Sequence, residues 1–377
     1  QRLDFSQLIT ELNRITGLHT QGHLAHMNVG SLVSFLKFPF ISLREKMKMA
    51  TWTGGLTLKR GRYDLAVPGT MAELDHRSIG DLARQQLTEG IYHNLIRPGI
   101  EPFWYFDCED VSAALVEALT AHAAGAEFYY ISGGIDQICS RMLDDLAVHT
   151  GAEITGIESQ EQTVEILGRG KGGDICERFD RVVIATTATV AHQLTQALPS
   201  AEVSPEQRAF LQSQRYAANV HICYRMARLE PSPKLNAIFP CGPGRHPLAA
   251  LSFHRPKSDP TGQKETELVS VYLSDPESLR VMHWSDEALS AHGLQLGQGV
   301  YPALPQDAEI FHISRRREAI PVHGVGRYRL AVDFQRVQAE RQRAVYFCGD
   351  YLATSTVDGA IATGLTVADL IGANSLS

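Results

Sequence analysis

The chain has 377 residues, 44% hydrophobic and 20% charged, with a net charge of −7. That balance belongs to a folded globular protein, and the length admits two domains or one large discontinuous one. No strong basic run is present, which argues against nucleic acid as a partner, and no apolar run approaches the roughly 18 residues of a spanning helix. The six cysteines (Cys108, Cys139, Cys176, Cys223, Cys241 and Cys348) are scattered without a CxxC pair. They read as buried thiols in a reducing, cytoplasmic setting. No signal-peptide pattern is visible; the sequence opens on Gln1 rather than Met, so an upstream start is expected.

Residues 1–50 read as helical, because Phe5, Leu8, Ile9, Leu12 and Ile15 recur at helical spacing. Gly17 is the expected C-cap. A second apolar cluster, Leu32 to Leu43, is broken by Pro39. The next helix is amphipathic, with Lys46 and Lys48 on its wet face. Further on, Ser78 is placed to cap a helix from Ile79, with Asp81 in its first turn. Pro98, Gly99 and Pro102 then predict a loop carrying Phe103, Trp104, Tyr105 and Phe106, followed by a helix from Asp110 or Val111. Four consecutive aromatics in a loop suit a cavity wall or lid, or a hydrophobic plug between helices.

Residues 126–198 read strand, Gly-Gly turn, helix, strand, hairpin, strand. The helix carries an apolar stripe of Ile135, Ile138, Met142, Leu143 and Leu146, and Thr150-Gly151 ends it. Glu153–Ile157 is a short strand. Gln162–Leu167 and Ile175–Phe179 flank GRGKGGD, a loose hairpin connection. GRGKGG is not a nucleotide loop, because it joins two strands and no helix follows it. The run 182–185, VVIA, predicts a fully buried strand. From 200 to 315 the chain turns β-rich: NVHICYRMA, PLAALSFHR and ETELVSVYL are strand-like, joined by a Pro/Gly-rich loop, and Asp275–Leu289 is helix-like. Arg315, Arg316 and Arg317 read as a solvated run that would favour an acidic substrate if it lined a cavity.

The last stretch, AVYFCGDYLATSTVDGAIATGLTVADLI, reads as a strand (Ala344–Cys348), a turn at Gly349-Asp350 and a helix from Val357. That helix is lined with Gly359, Ala360, Ala362, Thr363, Gly364 and Ala368. Glycine costs a helix about 1 kcal/mol against alanine, so two glycines imply a close approach to its backbone. A strand feeding a helix sets a ligand site at the strand's carboxyl end, where unpaired N–H groups suit an electron-rich ligand. Asp350 would accept from a sugar or polyol hydroxyl, or serve only as a turn residue beneath a tightly packed helix.

FCGDYLATSTVDGAIATG resembles the C-terminal flavin-binding signature of the flavin-containing amine oxidase superfamily, on its protoporphyrinogen oxidase and phytoene desaturase side. The resemblance implies FAD as cofactor. It places Gly349 and Asp350 at the ribityl and pyrophosphate region, Thr356 and Val357 at the flavin pyrimidine edge, and Gly359-Ala360 as the small pair beyond. The layout of 129–187 is similar to the family's middle flavin segment. There Ile154 matches the adenine-contacting position and Thr186-Thr187 the small-residue turn, without the Pro usual in the family. FPFISLREKMKMATW resembles the stretch before the family's helical substrate region. By the same resemblance Phe103, Trp104 and Tyr105 belong to the substrate cavity. Arg316 stands where the family has Trp before Ala-x-Pro.

A flavin enzyme of this class also needs a GxGxxG unit after a strand, and none is found here. The expectation is a sequence lacking at least ~30 residues of that unit, holding FAD weakly on its own. The expected fold is α/β: a Rossmann-like FAD domain, incomplete at its N-terminus, with an α+β substrate domain. The division is 1–128 helical substrate-binding region, 129–200 FAD-binding segment, 201–315 β-rich substrate domain and 316–377 C-terminal FAD-binding segment. The expected activity is FAD-dependent dehydrogenation or desaturation of a hydrophobic small molecule, porphyrinogen- or polyene-like. The alternatives are an amine oxidase of the same fold and a non-enzymatic lipid- or prenyl-binding protein. No catalytic side chain is identifiable, since the flavin carries the redox chemistry, and no metal is expected. The location is expected to be cytoplasmic, with peripheral membrane contact an open alternative. Substrate, electron acceptor and oligomeric state are not legible.

Overall fold

The computed structural model describes residues 9–11, 15–28, 30–123, 126–127, 129–131, 133–144, 146–160, 163–229, 235–254 and 266–374. Strands β1 (Ile9–Glu11), β2 (Ile15–Thr20) and β3 (His23–Asn28) open it. Helices α1 (Leu32–Lys37) and α2 (Leu43–Thr57) follow on either side of Pro39. α2 starts at a capping box in which Ser42 and Glu45 satisfy each other's backbone N–H groups. Then come α3 (Pro68–Ala72), α4 (Ile79–Gln86), α5 (Glu89–Ile91), a π-turn (Tyr92–Ile96), α6 (Arg97–Trp104) and α7 (Ala113–Ala123). As the sequence predicts, the Ser78 side chain accepts from the Asp81 N–H at the start of α4.

The middle of the chain gives β4 (Tyr129–Ile131), α8 (Gln137–Leu143), β5 (Glu153–Gln160), β6 (Thr163–Gly170), β7 (Gly173–Phe179) and β8 (Val182–Ile184). Helices α9 (Ala188–Leu194) and α10 (Pro205–Gln212) lead to β9 (Arg215–Ala227), β10 (Ala237–Pro240), β11 (Leu248–His254) and β12 (Thr266–Leu273). After α11 (Asp275–Val281) and α12 (Asp286–Val300), the long β13 (Glu309–Val322) runs into α13 (Arg327–Ala339), β14 (Val345–Phe347) and α14 (Val357–Asn374).

Two bodies of sheet position everything else. The larger has seven strands in the order β13-β9-β12-β11-β10-β2-β3. Its period-2 alternation sorts side chains cleanly. Val220, Ile222, Tyr224, Val269, Val271, Leu273 and Leu251 face a core closed by α11 and α12 residues such as Val281 and Leu289. The residues between them face the other way. The smaller body is built on the parallel pair β8–β14, with Val345 opposite Val182 and Phe347 opposite Ile184. It shares one core with the antiparallel β5-β6-β7 sheet: Ile157, Val164, Ile184, Phe334, Val345, Phe347, Tyr351 and Leu352 are buried together. The stretches 129–187 and 325–377 thus meet in one buried cluster, although the β-rich stretch separates them in sequence.

Several local expectations are corrected. Phe5, Leu8 and Leu12 lie outside the described residues. Ile9 and Ile15, however, belong to strands, and Gly17 lies inside β2 opposite Ile238, not at a helix end. Non-local pairing with β10 decides this segment, and its local spacing does not. The loop expected at 98–106 is mostly helix α6, which starts before Pro98 and ends where Tyr105 adopts a left-handed conformation. Pro98, at the second position of α6, forfeits only an N–H of the first turn, and Pro102 is carried inside the helix. Helix α8 ends at Leu143, short of Thr150-Gly151, and its stripe is not a core face: Ile135, Met142, Leu143 and Leu146 are exposed. β8 is only half-buried, with Val183 exposed. The GRGKGGD hairpin is tight, with Gly170 opposite Gly173. The Pro/Gly-rich loop contains β10, and the helix from Asp275 is two helices broken at Met282–Ser285.

Candidate active site

The carboxyl ends of β8 and β14 lie side by side, as a two-strand parallel ladder requires, and the two predicted ligand turns leave from them. The far edge of β14 is closed by a side chain. Gln338 of α13 donates to the Phe347 carbonyl and accepts from the Phe347 N–H, at 3.1 and 2.8 Å. Gly349 follows with φ at +149°, and its N–H donates to the Thr363 hydroxyl on α14 at 3.0 Å. That bond ties the strand end to the second turn of the helix.

Asp350 sits next, largely withdrawn from water, and burial raises its carboxyl to about 6 despite backbone N–H groups of Asp350 and Tyr351 that favour the anion. Among the described residues no cation is paired with it. Beside it the Tyr351 hydroxyl is buried without a hydrogen-bond partner. Burial and the neighbouring Tyr216 hold that phenol well above its usual range. Across the cleft Thr187 donates to the Glu318 carboxylate of β13 at 2.7 Å, and the Ala188 N–H donates to the Tyr216 hydroxyl at 2.7 Å. Thr186 is exposed at the mouth, its hydroxyl bonded to the Thr187 carbonyl. Ile154 is half-buried on β5, the outer strand of its three-stranded sheet.

At the start of α14 the Thr356 hydroxyl accepts from the Gly359 N–H at 3.0 Å, as an N-cap does. Val357 and Ala360 are exposed there. Gly359 is buried, and its closeness to a neighbour has an internal cause. A Cβ at Gly359 would stand 2.2 Å from the Thr354 carbonyl oxygen. The backbone that approaches this glycine is the chain's own. Of the two glycines, Gly364 is the one with open space, with nothing within 4 Å of a Cβ.

Buried Ser355 links this loop to the rest of the molecule. Its hydroxyl donates to the Pro321 carbonyl at 2.6 Å, so His323 Nδ1, 3.0 Å away, must be the N–H donor to Ser355. Burial and the nearby Arg327 charge lower His323 to about 4, and its Nε2 is an unpartnered acceptor. The Ser355 carbonyl accepts from Trp104 Nε1 at 2.9 Å.

That bond leads to a second space. Phe103 and Tyr105, on either side of Trp104, line a cavity of about 610 Å³ between α6 and the open face of the large sheet. Trp104 itself is not in the lining. The apolar end is made by Leu18, Met27 and Phe239, and the polar end by Ser252, His254 and Tyr272. Among the described lining residues there is no Asp, Glu, Lys or Arg. Sequence reading missed the polar end. Its signal was a polar residue at every second position of otherwise apolar strands: His221 and Cys223, Ser252 and His254, Ser270 and Tyr272. Arg316 and Arg317 are exposed, and Arg315 bonds Met282 and Trp284 carbonyls and the Asp286 carboxylate.

The family model described as flavin containing amine oxidoreductase matches residues 9–372. No curated protein matches the sequence. Solved structures do. A protein assigned as a protoporphyrinogen oxidase from Exiguobacterium sp. 255-15 is 13% identical, with a TM-score of 0.68 over 98% of this chain and 83% of its own. Putrescine oxidase bound to putrescine is 17% identical, with a TM-score of 0.70 over 97% and 83%. Cyclohexylamine oxidase from Brevibacterium oxydans IH-35A is 13% identical, with a TM-score of 0.67 over 98% and 83%. At these identities the likeness is one of fold, a mixed helix-and-strand architecture of the Rossmann-like flavoenzyme type.

Proposed function

We propose a specific role for a chain that belongs to the flavin containing amine oxidoreductase family and is, with it, an FAD-dependent oxidoreductase: removal of hydride from a hydrophobic, uncharged substrate of porphyrinogen- or polyene-like character. The observation that carries this reading is that the described residues lining the 610 Å³ cavity carry no charge. A protonated amine entering it would lose its water and meet no carboxylate among them, a penalty of several kcal/mol for an unpaired buried charge. An apolar substrate gains from the same walls. This favours the porphyrinogen or polyene reading over the amine oxidase one.

The donor set fits FAD. Asp350 is a carboxylate largely withdrawn from water, with no cation partner among the described residues, suited to accept from hydroxyls of the ribityl or ribose chain. Thr356, Val357 and Ala360 offer the helix start to the flavin edge, with Gly359 holding that start against the Thr354 backbone. Thr186 and Ile154 are assigned to the remaining flank and to the adenine side. FAD supplies the hydride acceptor. The chain orients the substrate, excludes water with the aromatic wall of α6, and fixes that wall to the cofactor loop through Trp104 and Ser355. The regional division at 128, 200 and 315 is retained as part of this reading.

Among the described residues no helix is long and apolar enough to cross a membrane. Leu32, Val33, Leu36, Leu43 and Met47 are nevertheless exposed on α1 and α2, beside Lys37, Arg44 and Lys46. We assign this patch to peripheral contact with a cytoplasmic anionic membrane that delivers the substrate. The test of function is anaerobic. Protein loaded with FAD is mixed with a porphyrinogen, a polyene or an alkylamine, and bleaching of the flavin band is followed. Bleaching by the alkylamine alone would overturn the reading, and failure of the full-length protein to take up added FAD would favour a binding protein.

A further inference from the structure

We propose that His254, Ser270 and His221 form a proton relay leading from the substrate cavity across the sheet to its outer strand. The relay rests on the hydride-removal reading above, because each hydride taken from a carbon leaves a proton to be carried away.

The three residues stand on adjacent strands, β11, β12 and β9. His254 Nε2 lies 2.9 Å from the Ser270 hydroxyl, and His221 Nε2 lies 2.8 Å from the same oxygen. His254 lines the cavity, and Ser270 is 1% exposed. The His221 ring is stacked on Tyr272, centroids 4.5 Å apart and planes within 8°, which fixes its orientation. On the far side His312 of β13 stands 6.3 Å from His221 between ring centres, and it is exposed to solvent. A gap of that size is one that a single bridging water can span.

A serine hydroxyl has one proton and cannot donate to both rings. In the neutral pair one imidazole therefore presents Nε2–H to the oxygen and the other accepts from it, so the two hold opposite tautomers. When His254 takes a proton from the cavity at Nδ1, the balance is simple. Its Nε2–H bond breaks as a new O–H bond forms on Ser270, and the old Ser270 O–H bond breaks as an N–H bond forms at His221 Nε2. His221 then releases its Nδ1 proton towards His312 and water. No electrons are exchanged; Ser270 keeps one proton, now directed at His254, and both rings end in the opposite tautomer, so the hydroxyl and the rings reset by exchange with water before the next proton.

The surroundings keep the proton moving. Cys223 lies on the strand of His221, Tyr272 on that of Ser270, Ser314 and His312 on β13, and Tyr105 of α6 beyond Tyr272. Among the described residues no carboxylate acts on either ring. Burial, with the like charges of His254 and His312, brings His221 down to about 4, and burial lowers His254. Neither ring carries a second proton at neutral pH, as a conduit requires.

The test uses the full chain with 15N-labelled histidine. Imidazole two-bond 1H–15N spectra are followed from about pH 7.5 to about 4, with His221→Gln and His254→Gln giving the assignments. Opposite tautomers are expected at the upper pH. On acidification the two rings should shift together, each taking part of one protonation, because the proton is shared. Ser270→Ala should split this into two separate titrations, and Ser270→Thr, which keeps the hydroxyl, should restore the joint one. If one ring takes the whole shift while the other stays still, the hydrogen bonds are static and the relay is refuted. Joint titration surviving Ser270→Ala refutes it equally. FAD uptake is not part of this measurement, so failure of the flavin reading and failure of the relay are told apart.

Discussion

Replacing Asp350 with Asn should make the protein more stable and a poorer flavin binder at once. Burial raises this carboxyl from its ordinary 3.8 to about 6. The folded state therefore holds the proton more tightly than the unfolded chain does. The carboxylate present at pH 7 is a liability of about two pH units, or ~3 kcal/mol. The sign follows directly: the stability linked to Asp350 is fully present below 3.8 and is lost as pH rises through about 6. Asn is nearly isosteric, keeps an acceptor for the local N–H groups and never ionises. Urea melts at pH 7 should show Asp350→Asn more stable by up to ~3 kcal/mol; the gap should shrink to about 1 kcal/mol at pH 4.5 and close near pH 3. Flavin titration at pH 7 should show weaker binding, by roughly tenfold to a hundredfold, as one or two charge-assisted hydrogen bonds weaken. Equal stability at pH 7, or a gap that persists at acid pH, would show that the carboxylate is not held at a cost. Unchanged flavin affinity would remove it from the cofactor site.

Three more outcomes can be checked. Gly359→Ala should lower the melting temperature, because a Cβ 2.2 Å from the Thr354 oxygen costs about 1–3 kcal/mol of overpacking against ~1 kcal/mol of helix propensity gained; Gly364→Ala, with no neighbour within 4 Å, should instead raise it, and a reversed order would contradict the packing described for α14. Ala360→Leu, at an exposed position, should leave the melting temperature alone and weaken flavin binding at least tenfold; unchanged affinity would mean that the helix start is not the flavin seat. His323, lowered to about 4, binds its proton better in the unfolded chain, so stability should fall as pH drops from about 6.5 towards 4, by ~2 kcal/mol at pH 5 from this residue. His323→Gln should flatten the difference between melts at pH 7 and pH 5 if that proton is responsible.

What could be read from the sequence was local. The strand at Val345, the turn at Gly349-Asp350 and the helix at Val357 stand where the spacing of apolar, turn and small residues puts them. The capped start of α4 at Ser78 is legible for the same reason. The N-terminal strands were not, because Ile15–Thr20 becomes a strand by pairing with Ala237–Pro240, a partner some 220 positions away that no window reveals. Gly359 was legible as a close-approach site, but not what approaches it. The cavity floor escaped for a subtler reason. Each polar residue in β9, β11 and β12 is unremarked alone, and only the sheet's register sets His221 and His254 diagonally on either side of Ser270.

The bond from Trp104 Nε1 to the Ser355 carbonyl has an optical consequence. This indole is anchored to the loop that leads into α14 and flanked by two cavity-lining aromatics; Trp284 packs in the core of the large sheet, while Trp52 shares the helical cluster of Trp104 but makes no such bond to that loop. Indole emission overlaps the near-ultraviolet absorption of an oxidised flavin. A flavin seated against α14 should therefore dim Trp104 by energy transfer, and a molecule entering the cavity should shift the colour of what remains. With Trp52 and Trp284 changed to Phe, one fluorophore would report the filling of both sites, in real time and without a label.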